Sequence, residues 1–295
     1  MAQKKLIIEE LEALNSLKDL AESYEEIAAI EMQKIRDSVL KTRAFLIDIS
    51  DVFVDLKSSY TREVNELIAR RKKGDKTILP ILRKINKTLM VYLSSNGKLY
   101  GPVTQKTFKL FSKSLKKTDR NTTDIVIIGN AGRELFENAR IDRPYEYIEI
   151  PDTKVDIGHI KQLMQKFLQY EKVYVYYGKF GNLVSQSPIS TSITGEDIFE
   201  TENIVPVPRE DRFIFEPSLE KIFHFFETQI MTNLFSQTLL ENQLARDVSR
   251  VNAMEEALIN IDVESKKLSR LGLRLKHSLQ NKKQLETISG LVLWS

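Results

Sequence analysis

The sequence contains no cysteine, which excludes disulfides and thiolate chemistry and permits a reducing compartment. Its three histidines, His159, His224 and His277, are scattered without metal-ligand spacing, so no catalytic metal is expected. Charge of one sign is also missing. Among 295 residues, 44 Lys and Arg face 41 Asp and Glu, for a net charge of +3. The densest basic runs, Arg70-Arg71-Lys72-Lys73 and residues 113–117, read as solvated faces, so nucleic acid is not an expected partner. No apolar run reaches membrane-spanning length, so any membrane role is expected to be peripheral. The opening Met-Ala-Gln-Lys-Lys leads into an acidic amphipathic stretch, without the pattern of a signal or transit peptide. With 42% hydrophobic and 29% charged residues, the balance is that of a folded chain.

Proline and glycine are scarce at both ends. All eight prolines lie between Pro80 and Pro217, and the flanks hold only Gly74 on one side and Gly272 and Gly290 on the other. Nothing in those flanks removes a backbone donor or interrupts a helix. Over residues 217–295 the apolar positions Leu244, Val248, Val251, Met254, Leu258, Ile261, Leu268, Leu271 or Gly272, Leu275 and Leu279 recur about every 3.5 residues, the period of a coiled-coil seam. The opposite end carries Ile7, Leu11, Leu14, Leu17, Ala21, Tyr24, Ala28, Met32, Ile35, Val39, Leu46, Ile49, Phe53 and Leu56, with Thr42 filling one step. Each end therefore needs a partner helix and can supply one. A helix of roughly fifty residues would be about 75 Å long, which implies a rod.

Between the ends, strands and helices alternate. Strands are expected at 89–93, 124–128, 145–150 and 172–177, with helices at 103–115, 133–139 and 157–170. That order gives a small, mostly parallel sheet with helices on its faces. Residues 183–193 read as an edge strand carried past Pro188, and residues 195–208 as a connecting flap. Ser218 is a candidate N-cap of the last helix.

Motifs for chemistry are sparse. Gly129-Asn130-Ala131-Gly132 stands at a strand-to-helix passage, where amides can cradle phosphate. It lacks the third glycine of a dinucleotide fingerprint and the Gly-Lys-Ser/Thr of a nucleotide loop, and so reads as a plain βα turn. Ser94-Ser95-Asn96-Gly97 is open to two readings, a hairpin turn back to Leu99-Tyr100 or a loop into the helix after Pro102. No nucleophile has a base beside it, and no catalytic residue or cofactor is expected.

One stretch exceeds the structural reading. Residues 249–260, Ser-Arg-Val-Asn-Ala-Met-Glu-Glu-Ala-Leu-Ile-Asn, resemble the C-terminal signature Ala-Arg-Met-x-Ala-Met-x-x-Ala-x-x-Asn of the γ subunits of F-type ATP synthases. Phe215-Glu216-Pro217 is similar to that family's Tyr-Glu-Pro, and Glu286 with Ser289-Gly290 to its closing Glu-Ile-Val-Ser-Gly. The Lys179-Phe180-Gly181-Asn182 run through Pro188, the Ile127–Gly132 turn, the Ser95–Gly101 loop and Ala28–Met32 also fall in family order. Two departures stand out: Glu9, Glu10, Glu12, Asp19, Glu22, Glu25 and Glu26 make the first helix acidic, and Lys276-His277 replaces an Arg-Gln pair.

The resemblance implies an α/β fold with long helices: an antiparallel coiled coil of the N- and C-terminal helices plus a small Rossmann-like domain. The expected divisions are residues 1–79, 80–210 and 211–295. By family position, Arg250, Met254, Lys276, His277 and Glu286 would face a ring of ATP synthase α and β subunits. Phe213, Phe215 and Glu216 would lie at a foot touching the c ring and the ε subunit. The implied role is a non-catalytic rotor shaft, peripheral on the cytoplasmic face of a bacterial membrane. A coiled-coil adaptor, or an α/β enzyme with helical arms, would share the architecture but not the register of these motifs.

Overall fold

The computed structural model describes residues 2–59, 85–152, 157–194 and 219–292. The expectations for residues 60–79, for the flap at 195–208 and for the Ser218 cap lie outside them. Two compact units are present, one of Met1–Ile30 with Arg250–Ser295 and one of Glu31–Ser249. Helices α1 (Ala2–Ser59) and α5 (Leu219–Val292) contribute to both.

In the first unit, α1 and α5 run antiparallel. Ile7 lies beside Gly272, Lys18 beside Asp262 and Tyr24 beside Arg250, so one sequence rises as the other falls. On α5 the partly covered positions 251, 254, 258, 261, 265, 268, 272 and 275 alternate strides of three and four, the heptad spacing of a seam. The seam passes through Gly272, because a Cβ there would already stand 3.6 Å from Ile7 Cγ2. Leu271, the other candidate, is exposed.

On α1 the seam follows the expected ladder from Ile7 to Ile49 except at one step, while the side chains of Phe53 and Leu56 lie outside the described ones. Leu17 is 52% exposed, and the position seven residues after Leu11 belongs to Lys18. Its methylene chain covers the seam while its Nζ reaches Asp262 Oδ1 at 3.2 Å. Both side chains remain substantially in solvent, so the pair favours this register more than it adds stability.

The second unit contains a five-stranded sheet of order β3-β2-β1-β4-β5. Strands β1 (Ile85–Leu93), β2 (Thr123–Ile128), β3 (Glu146–Ile148) and β4 (Tyr170–Phe180) are parallel, and β5 (Gln186–Ser192) is an antiparallel edge. Helices α2 (Val103–Leu115), α3 (Asn130–Asn138) and α4 (Ile157–Phe167) form the crossovers. The uninterrupted apolar run of β1 follows from burial on both faces. Leu89, Val91 and Leu93 point to a core shared with Met164 and Phe167 of α4 and with Met231 and Phe235 of α5. Met90 and Tyr92 point the other way, to Phe111 of α2 and Phe136 of α3. Pro188 sits in β5 opposite Gly178, on an edge strand as its missing N–H requires.

Two sequence ambiguities have physical answers here. Ser94–Gly97 is a loop into α2, since β1 is already paired on both sides and a returning hairpin strand would have no free edge. Helix α3 starts at Asn130 rather than Arg133, because the Asn130 N–H donates to Asn96 Oδ1 at 3.1 Å and the Ala131 N–H to Ser95 O at 2.8 Å. Those early amides find partners from another loop, which local sequence does not reveal.

Candidate functional site: the junction of the sheet and helix α5

In a doubly wound sheet, ligands usually sit outside the carboxyl ends of the strands, where the strand order reverses. Here that reversal falls between β1 and β4. The chain's own helix α5 occupies the place. Residues 241–249 are buried around the whole helix circumference, polar side chains included. The cavity left among Leu93, Ser94, Asp152, Asn242 and Arg246 is about 20 Å³, far below the several hundred typical of a cofactor site. A more open cleft of about 290 Å³ lies between the starts of α2 and α3, with Lys98 paired to Glu134 at 3.1 Å.

Helix α5 is fastened there by directional bonds. Arg246 Nη1 donates to Ser94 O at 2.8 Å and to Asp152 Oδ1 at 2.9 Å, and its guanidinium lies 5.0 Å from the centre of the Tyr100 ring. Asp152 also accepts the N–H groups of Asn96, at 3.0 Å, and Gly97, at 2.9 Å. Asn96 Nδ2 donates to Ile150 O at 2.8 Å, closing the loop after β3 onto the loop after β1. On β4, the Gly178 N–H donates to Asn242 Oδ1 at 3.0 Å and Tyr177 Oη to Glu241 Oε2 at 3.3 Å. Gly101, at φ +64°, lets the β1 loop meet the helix, since a Cβ there would stand 2.5 Å from Ser249 O.

Burial opposes the charge on Asp152, but Arg246 and the Gly97 and Asn96 amides outweigh it, holding the carboxyl below the usual carboxylate range. A depressed folded-state pKa contributes stability that is complete above the unfolded value, about 3.9, and is lost as pH falls through the folded one. The melting temperature of the chain should therefore drop as pH falls below about 4, and Asp152→Asn should flatten that drop. Identical slopes for the two proteins in an acid series of thermal melts would contradict this role for the carboxylate.

The phosphate-cradle reading of Gly129–Gly132 meets the same occupancy. The amides of Asn130 and Ala131 are already bonded to Asn96 and Ser95. Of the residues singled out from the sequence, Arg250 is buried with its guanidinium 5.4 Å from the Tyr24 ring centre, and Met254 is half-buried. Lys276, His277 and Glu286 are exposed on α5, with Glu286 Oε1 4.0 Å from Lys282 Nζ. Phe213, Phe215 and Glu216 lie outside the described residues. Sequence reasoning missed Arg246 and Asp152. They are 94 positions apart, and nothing local marks either one.

These features define a class of protein: a doubly wound α/β domain whose switch-point edge is filled by a helix of the chain's own coiled coil. The comparisons agree on what that class is. A family model described as ATP synthase matches residues 3–276. The ATP synthase γ chain of Chloroherpeton thalassium is 21% identical, covering 98% of this chain and 97% of the relative. That of Mycoplasma pneumoniae is 23% identical over 88% of this chain and 96% of the relative. Among solved structures, a chain of the Euglena gracilis mitochondrial ATP synthase (OSCP/F1/c-ring) aligns with a TM-score of 0.64 at 15% identity, over 99% of this chain and 94% of its own. A chain of the Tetrahymena thermophila central stalk and c ring aligns with a TM-score of 0.53 at 19% identity, covering 81% of this chain and 99% of its own. The chain belongs to the ATP synthase γ family, the central-stalk subunits of rotary F-type ATP synthases.

Proposed function

We propose that this chain is the rotor shaft that couples ion flow through a c ring to ATP synthesis at the catalytic β subunits, and that it holds no catalytic site of its own. The observation that carries the reading is the family match over residues 3–276, joined to an antiparallel seam that runs from the Ile7–Gly272 contact to the Tyr24–Arg250 contact. Ring-like α and β subunits would surround the coiled coil, with the c ring and ε subunit at the foot. Two helices of unequal surface make an asymmetric axle, and an asymmetric axle favours a different conformation of otherwise identical subunits at each angle.

Within this reading the domains divide at residues 79/80 and 210/211, and Phe213, Phe215 and Glu216 supply the foot. Lys276, His277 and Glu286 reach the ring from exposed positions, while Arg250 and Met254 act nearer the packed seam. Among the described residues no helix is long and apolar enough to cross a membrane, which suits peripheral attachment through the complex. The proposed location is the cytoplasmic face of a bacterial membrane. Purifying the native assembly and counting subunits tests the whole reading. One copy of this chain per ring of alternating α and β subunits is expected, and recovery without such a ring would overturn it.

A further inference from the structure

We infer that Arg246 is the positioning residue that carries torque between the α/β domain and helix α5, an inference that rests on the rotor-shaft reading. A load that turns the domain about the helix must be passed on by contacts that resist sliding. Much of the contact between the two is apolar, with Met231 and Phe235 lying in the core with Leu89, Val91 and Val175. The hydrophobic driving force is non-directional, whereas a hydrogen bond resists displacement along a defined direction. Both polar bonds of Arg246 leave one nitrogen, Nη1, whose two N–H groups are fixed in the plane of the guanidinium, so each acceptor is held in direction as well as distance.

Arg246 is 5% exposed and grips two separate pieces of the domain, the end of β1 through Ser94 O and the loop after β3 through Asp152. Asp152 in turn holds the Asn96 and Gly97 amides, so the grip extends to the loop that enters α2. Asn242, one helical turn earlier, takes the Gly178 N–H of β4. The helix is thus held from both strands that flank the reversal in strand order.

The test uses the complete complex reconstituted in sealed vesicles, reading ATP hydrolysis and ATP-driven ion uptake side by side. Arg246→Met keeps an unbranched apolar stem without the guanidinium, leaves Asp152 on its two amides and cuts the link to the helix. It should retain hydrolysis and lose most of the uptake, with Arg246→Lys, which keeps the charge without the planar, fixed-direction donors, falling between. Unchanged uptake in Arg246→Met would overturn the inference.

A staple separates torque transfer from folding. A Cβ at Gly178 would stand 3.5 Å from Ala245 Cβ, within the range of about 3.5–4.5 Å for disulfides. The native chain adds no competing cysteine. Gly178→Cys with Ala245→Cys, and Val103→Ala to relieve its 2.7 Å approach, joins β4 to α5. Introduced with Arg246→Met, the oxidised staple should restore uptake and reduction should remove it. If uptake stays low with the staple formed, Arg246 is not the torque-bearing contact, whatever the single variant did. Absence of uptake in the wild-type complex would instead count against the rotor reading itself.

Discussion

Phe235→Ala should lower the stability of the chain by about 3–5 kcal/mol, read as a fall in the urea midpoint with an unchanged slope. Phe235 is fully buried on α5 and meets Phe167 of α4 edge to face, with ring centroids 5.5 Å apart. Truncation loses the transfer energy of the ring, leaves a cavity between α4, α5 and the sheet, and removes an aromatic pair worth about 0.5–1.5 kcal/mol. Phe225, on the same helix, is 61% exposed, and its replacement by Ala should change stability by about 0.5 kcal/mol or less. Equal effects at the two positions would mean that the α5 face assignment is wrong.

Gly129→Val should be at least as damaging, at about 3 kcal/mol or more. Gly129 has φ +96° and ψ 141°, a region essentially closed to residues with a side chain. A Cβ there would also come within 2.7–2.8 Å of the Ser95 backbone, which cannot swing aside because Ser95 O holds the Ala131 amide. The expected readout is loss of the cooperative thermal transition or a large fall in its midpoint. Gly97 offers the comparison: its φ is ordinary, and the nearest contact of an added Cβ is the Tyr100 ring edge at 3.3 Å, so Gly97→Ala should cost far less.

The sheet was readable from the sequence because its strands are either continuous apolar runs, as at β1 and β2, or carry a proline that only an edge tolerates, as at β5. Helix α2 matched its expected bounds for a similar reason, since Pro102 precedes it and Phe111 and Leu115 fall on one face. The coiled-coil seam was legible except at Lys18, where hydrophobicity pointed to Leu17 and the heptad count pointed to its neighbour. A charged side chain with a long apolar stem satisfied the spacing instead.

The junction was far less legible. Arg246 lies between the ladder positions Leu244 and Val248 and looks like any charged helix residue, while Asp152 follows a proline in a loop. Their meeting depends on β3 and the order of crossovers, which bring residues 94 positions apart within 2.9 Å. Arg250 is the opposite case. Its family position singles it out for a partner, yet within this chain its guanidinium also serves the helix pair by lying against Tyr24.

The placement of Met231 and Phe235 over the sheet has a consequence for how the protein is made. A ribosome delivers β1 to β4 well before residue 231 emerges, so Leu89, Val91 and Val175 await a cover made about fifty residues after β4 ends. Completion of the sheet core must therefore wait for the first turns of α5, and the pairing of Ile7 with Gly272 must wait longer still.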